Sequence, residues 1–104
     1  MSNLYIRRVI NGKVYDTETA TEVTRIPCHV YGDDFEWEDT RVFLSPHCQW
    51  FLAGRGNGAS RWRVKTASGY VPGDGLVLLT EGEVKELFEQ HDGPYEDHFE
   101  VVEG

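Results

Sequence analysis

No stretch of this sequence approaches the roughly 20 consecutive apolar residues that a membrane-spanning helix needs, and its opening, MSNLYIRRVINGKVYD, holds no apolar run of signal-peptide length. The expectation is a protein of the cytoplasm. Cysteine is scarce: Cys28 and Cys48 are the only two, and in a reducing compartment both are expected as free thiols. Neither belongs to a C-x-x-C pair. Cys28-His29 and His47-Cys48 look like a mirrored metal site, but neighbouring residues of an extended chain point to opposite faces, so at most one ligand from each pair could converge. No metal and no cofactor is expected. The glycine-rich GRGNG (54–58) lacks the Lys-Ser/Thr that completes a phosphate loop and leads into no clear helix, so it is read as a hairpin turn. No Ser or Cys stands with a base and an orienting acid in a recognisable pattern, and the carboxylates carry no acid/base pairing signal. The chain is read as a non-enzyme without catalytic residues.

What is present is core material. Hydrophobic residues make up 39% of the chain and aromatics 12%, too rich for a disordered polymer, and 104 residues suit one domain, 1–104, with a single modest core. The net charge of −8 is unevenly placed. Residues 1–80 hold nine acids and nine bases, whereas residues 81–104 hold nine acids against Lys85 alone. Within the first part, residues 33–39 (DDFEWED) are purely acidic, and residues 40–73 carry Arg41, Arg55, Arg61, Arg63 and Lys65 with no acid. Segregated blocks of this kind can shape an external field or face each other across a sheet.

Asn11-Gly12 between two runs of β-formers predicts a two-residue type I′ hairpin with arms near 4–10 and 13–15, because both turn positions need positive φ. DTETATEV offers N-cap candidates Asp16, Thr17 and Thr19 and a Thr19-to-Glu22 capping-box spacing, which predicts a short helix closed by Pro27. From Asp34 the pattern alternates, Phe35 and Trp37 against Asp34, Glu36 and Glu38, which predicts a half-buried strand. TRVFLSP and QWFLAGRG read as two strands joined at Ser45-Pro46-His47, RWRVKT as another, PGDG as a turn, and GLVLLT as a further extended run. TEGEVKELFEQHDGP carries a Thr80-Glu83 capping box, an apolar stripe at Val84, Leu87, Phe88 and His91, and a Gly93-Pro94 stop, so an amphipathic helix is expected. A short helical turn and a terminal strand are read in YEDHFEVVEG.

The acidic strip invites a functional reading. Side chains two apart on a strand lie about 6.6–6.8 Å from each other, close to the phosphate repeat of a nucleic-acid strand. Asp34, Glu36 and Glu38 would form one row of negative charge, and Glu83, Glu86 and Glu89 on the helix a second. The ordinary alternative is a solvated strand and helix face. Arg61, Arg63 and Lys65, near Trp50 and Trp62, could instead form a basic stripe for single-stranded nucleic acid, opposed by the repulsion that a chain of net charge −8 exerts on phosphates.

INGKVYDTETA, the aromatic-acidic stretch leading into DTRVFLSPHCQWFLAGRG, and LLTEGEVKELFEQH together resemble a group of short proteins encoded by phages and other bacterial mobile elements, over roughly residues 6–99. The opening INGK-x-YDT-x-TA is the specific part. At the glycine-rich turn, where that group carries a His and a Glu, this chain reads Ala53-Gly54-Arg55-Gly56. Some members of the group are associated with anti-CRISPR activity. The resemblance implies a protein acting in the cytoplasm of a bacterial host, whose partner is a CRISPR effector with a basic DNA-binding surface. Inhibition would follow from DNA mimicry or occlusion, with no direct nucleic-acid contact and no membrane.

The expected fold is α+β: an antiparallel sheet of four to five strands, a short N-terminal helix and the amphipathic C-terminal helix. Its core is expected from Val23, Phe35, Trp37, Phe43, Trp50, Leu52, Trp62, Leu78, Val84, Leu87 and Phe88. The leading partner-binding residues are Asp33, Asp34, Glu36, Glu38 and Asp39, with Glu83, Glu86 and Glu89 second. The Arg61/Arg63/Lys65 stripe, or a small interaction protein with another host partner, is the alternative.

Overall fold

A computed structural model describes residues 4–104 and has an α+β architecture. Its centre is a four-stranded antiparallel sheet in the order β3 (Thr21–Ile26), β4 (Glu38–Leu44), β5 (Trp50–Gly56), β8 (Gly73–Leu78). A hairpin of β1 (Arg7–Ile10) and β2 (Lys13–Asp16) covers part of one face, and helix α1 (Glu81–His91) lies on the other. A second hairpin, β6 (Val64–Thr66) with β7 (Gly69–Val71), sits in the long connection from β5 to β8. A single turn of helix, α2 (Tyr95–His98), follows α1.

The first hairpin forms as expected: Val9 pairs with Val14 and Ile10 with Lys13, and Asn11 and Gly12 take φ of 53° and 77°. The predicted N-terminal helix does not form. Asp16 turns the chain by accepting the Glu18 amide at 2.8 Å. Thr17 is buried, donating to the Leu4 carbonyl and accepting the Ile6 amide. These side chains close a turn where a helix would have used them as caps. The β-branched Thr21, Val23, Thr24 and Ile26 then run on as β3, in register with β4.

The apolar runs of β4 and β5 are continuous because both sheet faces are covered. Val42, Trp50 and Leu52 meet Ile26, Leu79, Val84 and Phe88 on the helix side. Phe43, Phe51 and Ala53 meet Leu4, Ile6 and Tyr15 on the hairpin side. There Phe43 and Phe51 stack at 5.2 Å between centroids, and Tyr15 sets its ring edge against Phe51 at 5.9 Å. Of the expected core, Phe43, Trp50, Leu52, Trp62, Val84 and Phe88 are buried, with Val23, Leu78 and Leu87 partly so. Phe35 is 79% exposed and Trp37 only half-buried, which corrects the strand reading from Asp34. Three further expectations are corrected. RWRVKT is extended only from Val64, PGDG contributes Gly73 to Gly75 to β8, and residues 99–104 form no strand.

Helix α1 begins where its capping box puts it: Thr80 Oγ1 accepts the Glu83 amide at 3.2 Å, and the Glu83 carboxylate accepts the Thr80 amide at 2.9 Å. The helix ends at Asp92, whose left-handed φ of 51° aims its amide at the Phe88 carbonyl. Thr80→Ala is expected to cost about 1 kcal/mol in urea unfolding, and Thr80→Gly only a few tenths. Equal losses from the two substitutions would contradict the capping role.

Candidate partner-binding surface

The five acids of the DDFEWED segment do not form one row. Residues 31–37 are a succession of turns: the Asp34 amide donates to the Tyr31 carbonyl at 2.9 Å and the Trp37 amide to the Asp34 carbonyl at 3.1 Å. The Asp34 carboxylate accepts the Glu36 amide at 2.8 Å, closing an Asx turn. Period-two spacing needs a pleated strand, and β4 begins only at Glu38, so the phosphate-like repeat of Asp34, Glu36 and Glu38 is corrected.

Glu38 and Asp39 stand on opposite faces of β4, and both are satisfied internally. Asp39 is fully buried on the hairpin face, its two oxygens accepting Nε of Arg41 at 2.9 Å and Nη2 at 2.8 Å. Arg25 adds an ion pair at 3.3 Å across β3. Arg41 also reaches Glu22 at 2.7 Å, and hydrogen bonding to Asp39 pushes its pKa above the ordinary arginine range. On the helix face, Glu38 accepts Arg61 Nε at 2.8 Å and the Thr40 hydroxyl. Thr40 in turn accepts Trp62 Nε1 at 2.8 Å. Asp39, fully buried, presents no carboxylate at the surface, and Glu38 is engaged through Oε2, so neither stands in an exposed acidic row with Asp34 and Glu36.

Asp33, Asp34 and Glu36 are exposed, and with them stand two aromatics no core claims, Tyr31 at 88% and Phe35 at 79% exposure. The loop is nevertheless held firmly. The Asn57 side-chain amide donates to the Gly32 carbonyl at 3.0 Å and the Asp34 carbonyl at 2.7 Å. The Asn57 backbone amide reaches the Trp37 carbonyl at 2.9 Å, and that of Ala59 the Phe35 carbonyl at 2.8 Å. GRGNG thus works as a clamp on the acidic loop. Read along the chain, Asn57-Gly58 signalled only a turn; its partners lie about two dozen residues upstream.

On α1, Glu83 is engaged in the cap and Glu81 pairs with Lys85 at 3.4 Å, while Glu86 and Glu89 are exposed. Glu83 and Glu86 share a shallow recess with Arg61, the residue that pairs with Glu38, so a cation stands between the helix acids and the end of β4. The stripe read from Arg61, Arg63 and Lys65 is divided as well. Arg61 is ion-paired, Arg63 lies 4.9 Å above the Tyr70 ring and donates to the Ser60 carbonyl, and Lys65 stands exposed in β6. Cys28 and Cys48 are both free thiols, and among the described residues no three of His, Cys, Asp and Glu gather as a metal site.

Comparison of the chain with protein-family models, with curated proteins and with solved structures found no match in any of the three.

Proposed function

We propose that this is a non-catalytic binding protein whose Tyr31–Glu36 loop docks on a basic, nucleic-acid-binding surface of a partner and so keeps nucleic acid away. The observation that carries this reading is the pair Tyr31 and Phe35, exposed between Asp33, Asp34 and Glu36 on a clamped loop. Aromatic side chains supply large contact area at low entropic cost, and a pre-ordered loop loses little freedom on binding. Flanking carboxylates add steering toward cations and discriminate against acidic surfaces. The resemblance to phage and mobile-element proteins names the candidate partner, a host CRISPR effector with Lys/Arg-lined channels for its target DNA. Glu86 and Glu89 extend the anionic surface but contribute less, being ordinary exposed positions on a helix.

The test is co-purification of the protein with purified CRISPR effector complexes, each with and without target DNA loaded. Binding lost on preloading supports occlusion, binding that survives supports inhibition from another surface, and no binding to any complex refutes the named partner. The double variant Tyr31→Ala/Phe35→Ala is expected to weaken partner binding at least about 100-fold, the sum of two anchor residues. It should melt where the parent does, since neither ring is buried. Asp33→Lys/Glu36→Lys is expected to slow association and flatten its salt dependence. Glu38→Lys is unsuited to this purpose, because it would break the contacts to Arg61 and Thr40.

A further inference from the structure

The hairpin covers only part of its face of the sheet, and beyond its edge four arginines that are scattered in the sequence come together. Arg25 on β3 is paired in register with Arg41 on β4, and Arg55 on β5 stands opposite Asp39 on one side and Asp74 on the other. Strand alternation puts all of these on one face. Arg8 reaches in from β1 and binds Asp74 at 2.6 Å. Both acids beside Arg55 are therefore claimed by other residues: Asp39 by Arg41 and Arg25, Asp74 by Arg8. Arg55 itself is exposed and makes no hydrogen bond or ion pair among the described residues. With Glu22 bound to Arg41, the cluster keeps one surplus positive charge, that of Arg55.

Arg55 lines an open recess of about 640 Å³, within the roughly 300–1,000 Å³ of small-molecule sites. Its apolar wall is the half-buried Trp37 with Val64 and Pro72. We propose that this recess binds a nucleotide unit, its phosphate on Arg55 and its base against the Trp37 indole. A lone guanidinium without a carboxylate of its own forms charge-assisted, bidentate bonds to a phosphate, and an indole beside it offers a stacking face for any base. Acids do stand near the recess, Asp74 in its wall and the Asp33–Glu36 stretch held by Asn57, but the chain's surplus negative charge lies elsewhere. The surplus acid resides in residues 81–104, and α1, which begins them, packs on the opposite face of the sheet. The recess borders the partner-binding loop, since Asn57, which lines it, also clamps Gly32 and Asp34, whereas none of Arg61, Arg63 and Lys65 lines it.

The experiment is a titration of the full chain at low salt with adenosine and uridine monophosphates, with a short oligothymidylate, and with inorganic phosphate, followed by intrinsic fluorescence. Trp50 and Trp62 are buried, so quenching would report Trp37. Quenching by the monophosphates assigns the recess to free nucleotides, and quenching by the oligomer alone assigns it to a strand. Arg55→Gln removes no internal bond and is expected to fold normally while weakening binding about tenfold or more. Trp37→Ala, read by calorimetry, is expected to weaken nucleotides while sparing phosphate, and Arg63→Gln to leave both unchanged. No binding of either nucleotide form would overturn the proposal. So would binding indifferent to Arg55→Gln, or phosphate binding as tightly as the nucleotides.

Discussion

Asp39→Ala is expected to destabilise the protein by about 3–5 kcal/mol, a large share of the 5–15 kcal/mol that holds a domain of this size together. The buried carboxylate accepts two charge-assisted bonds from Arg41, whose side chain is only 12% exposed, and a third contact from Arg25. Alanine takes from the Arg41 guanidinium its buried acid, at the edge of the core between β3 and β5, while the bond to the more exposed Glu22 persists. Breaking a buried pair by removing one partner is far more harmful than never having built it. Asp39→Asn keeps an acceptor oxygen and is expected to lose less than Asp39→Ala. Urea unfolding reads both, and a loss below about 1 kcal/mol for the alanine variant would show the network to be dispensable.

Trp62→Ala is expected to cost about 3–5 kcal/mol as well, for a different reason. The indole is the seat-filling residue of the helix side. Gly54, Gly73 and Gly75 line up on β5 and β8 beneath the Trp62 segment, and a Cβ at Gly54 or Gly75 would run into the ring. Three glycines, one in the central strand β5 and two in the edge strand β8, weaken a sheet unless something else occupies the space they leave. Trp62→Ala empties that space and orphans the Thr40 hydroxyl as an acceptor. Trp62→Phe keeps most of the packing and is expected to lose about half as much, the difference being the Nε1 bond and the missing ring area. Gly54→Ala is destabilising from the other side, and there the Asp39 carbonyl, fixed in a paired strand, cannot move away. In the double variant Gly54→Ala/Trp62→Ala the two losses should not add, because the sites share one space. Full additivity in thermal melts would mean that the glycines serve the strands alone.

These two residues show where reading along the chain stopped. Trp62 was legible as core from its alternation with charged neighbours, but the glycines that receive it looked like turn chemistry, because Gly73 and Gly75 are opposite Gly56 and Gly54 only once β8 has paired with β5. Asp39 looked like the last member of an acidic surface strip. Its burial follows from Arg25 and Arg41, which reach it across and along strands whose pairing no local pattern displays. Phe35 alternated with acids as a strand residue would, yet the Asx turn at Asp34 and the Asn57 clamp turned it outward.

Interactions that close within a few residues were determined by the sequence itself: the Asn11-Gly12 turn, the Thr80-Glu83 box, and the α1 stripe of Val84, Leu87 and Phe88. Their energetics are local, so composition and spacing suffice. The tertiary structure alone decided which carboxylates face solvent, which arginine is left without a partner, and which aromatics stand free. The buried acid and the arginines depend on strand register, where a shift of one residue would carry every side chain to the other face, and the aromatics depend on the clamp from Asn57. The sheet thereby hides Asp39 and engages Glu38, while Tyr31, Phe35 and Arg55 stand exposed.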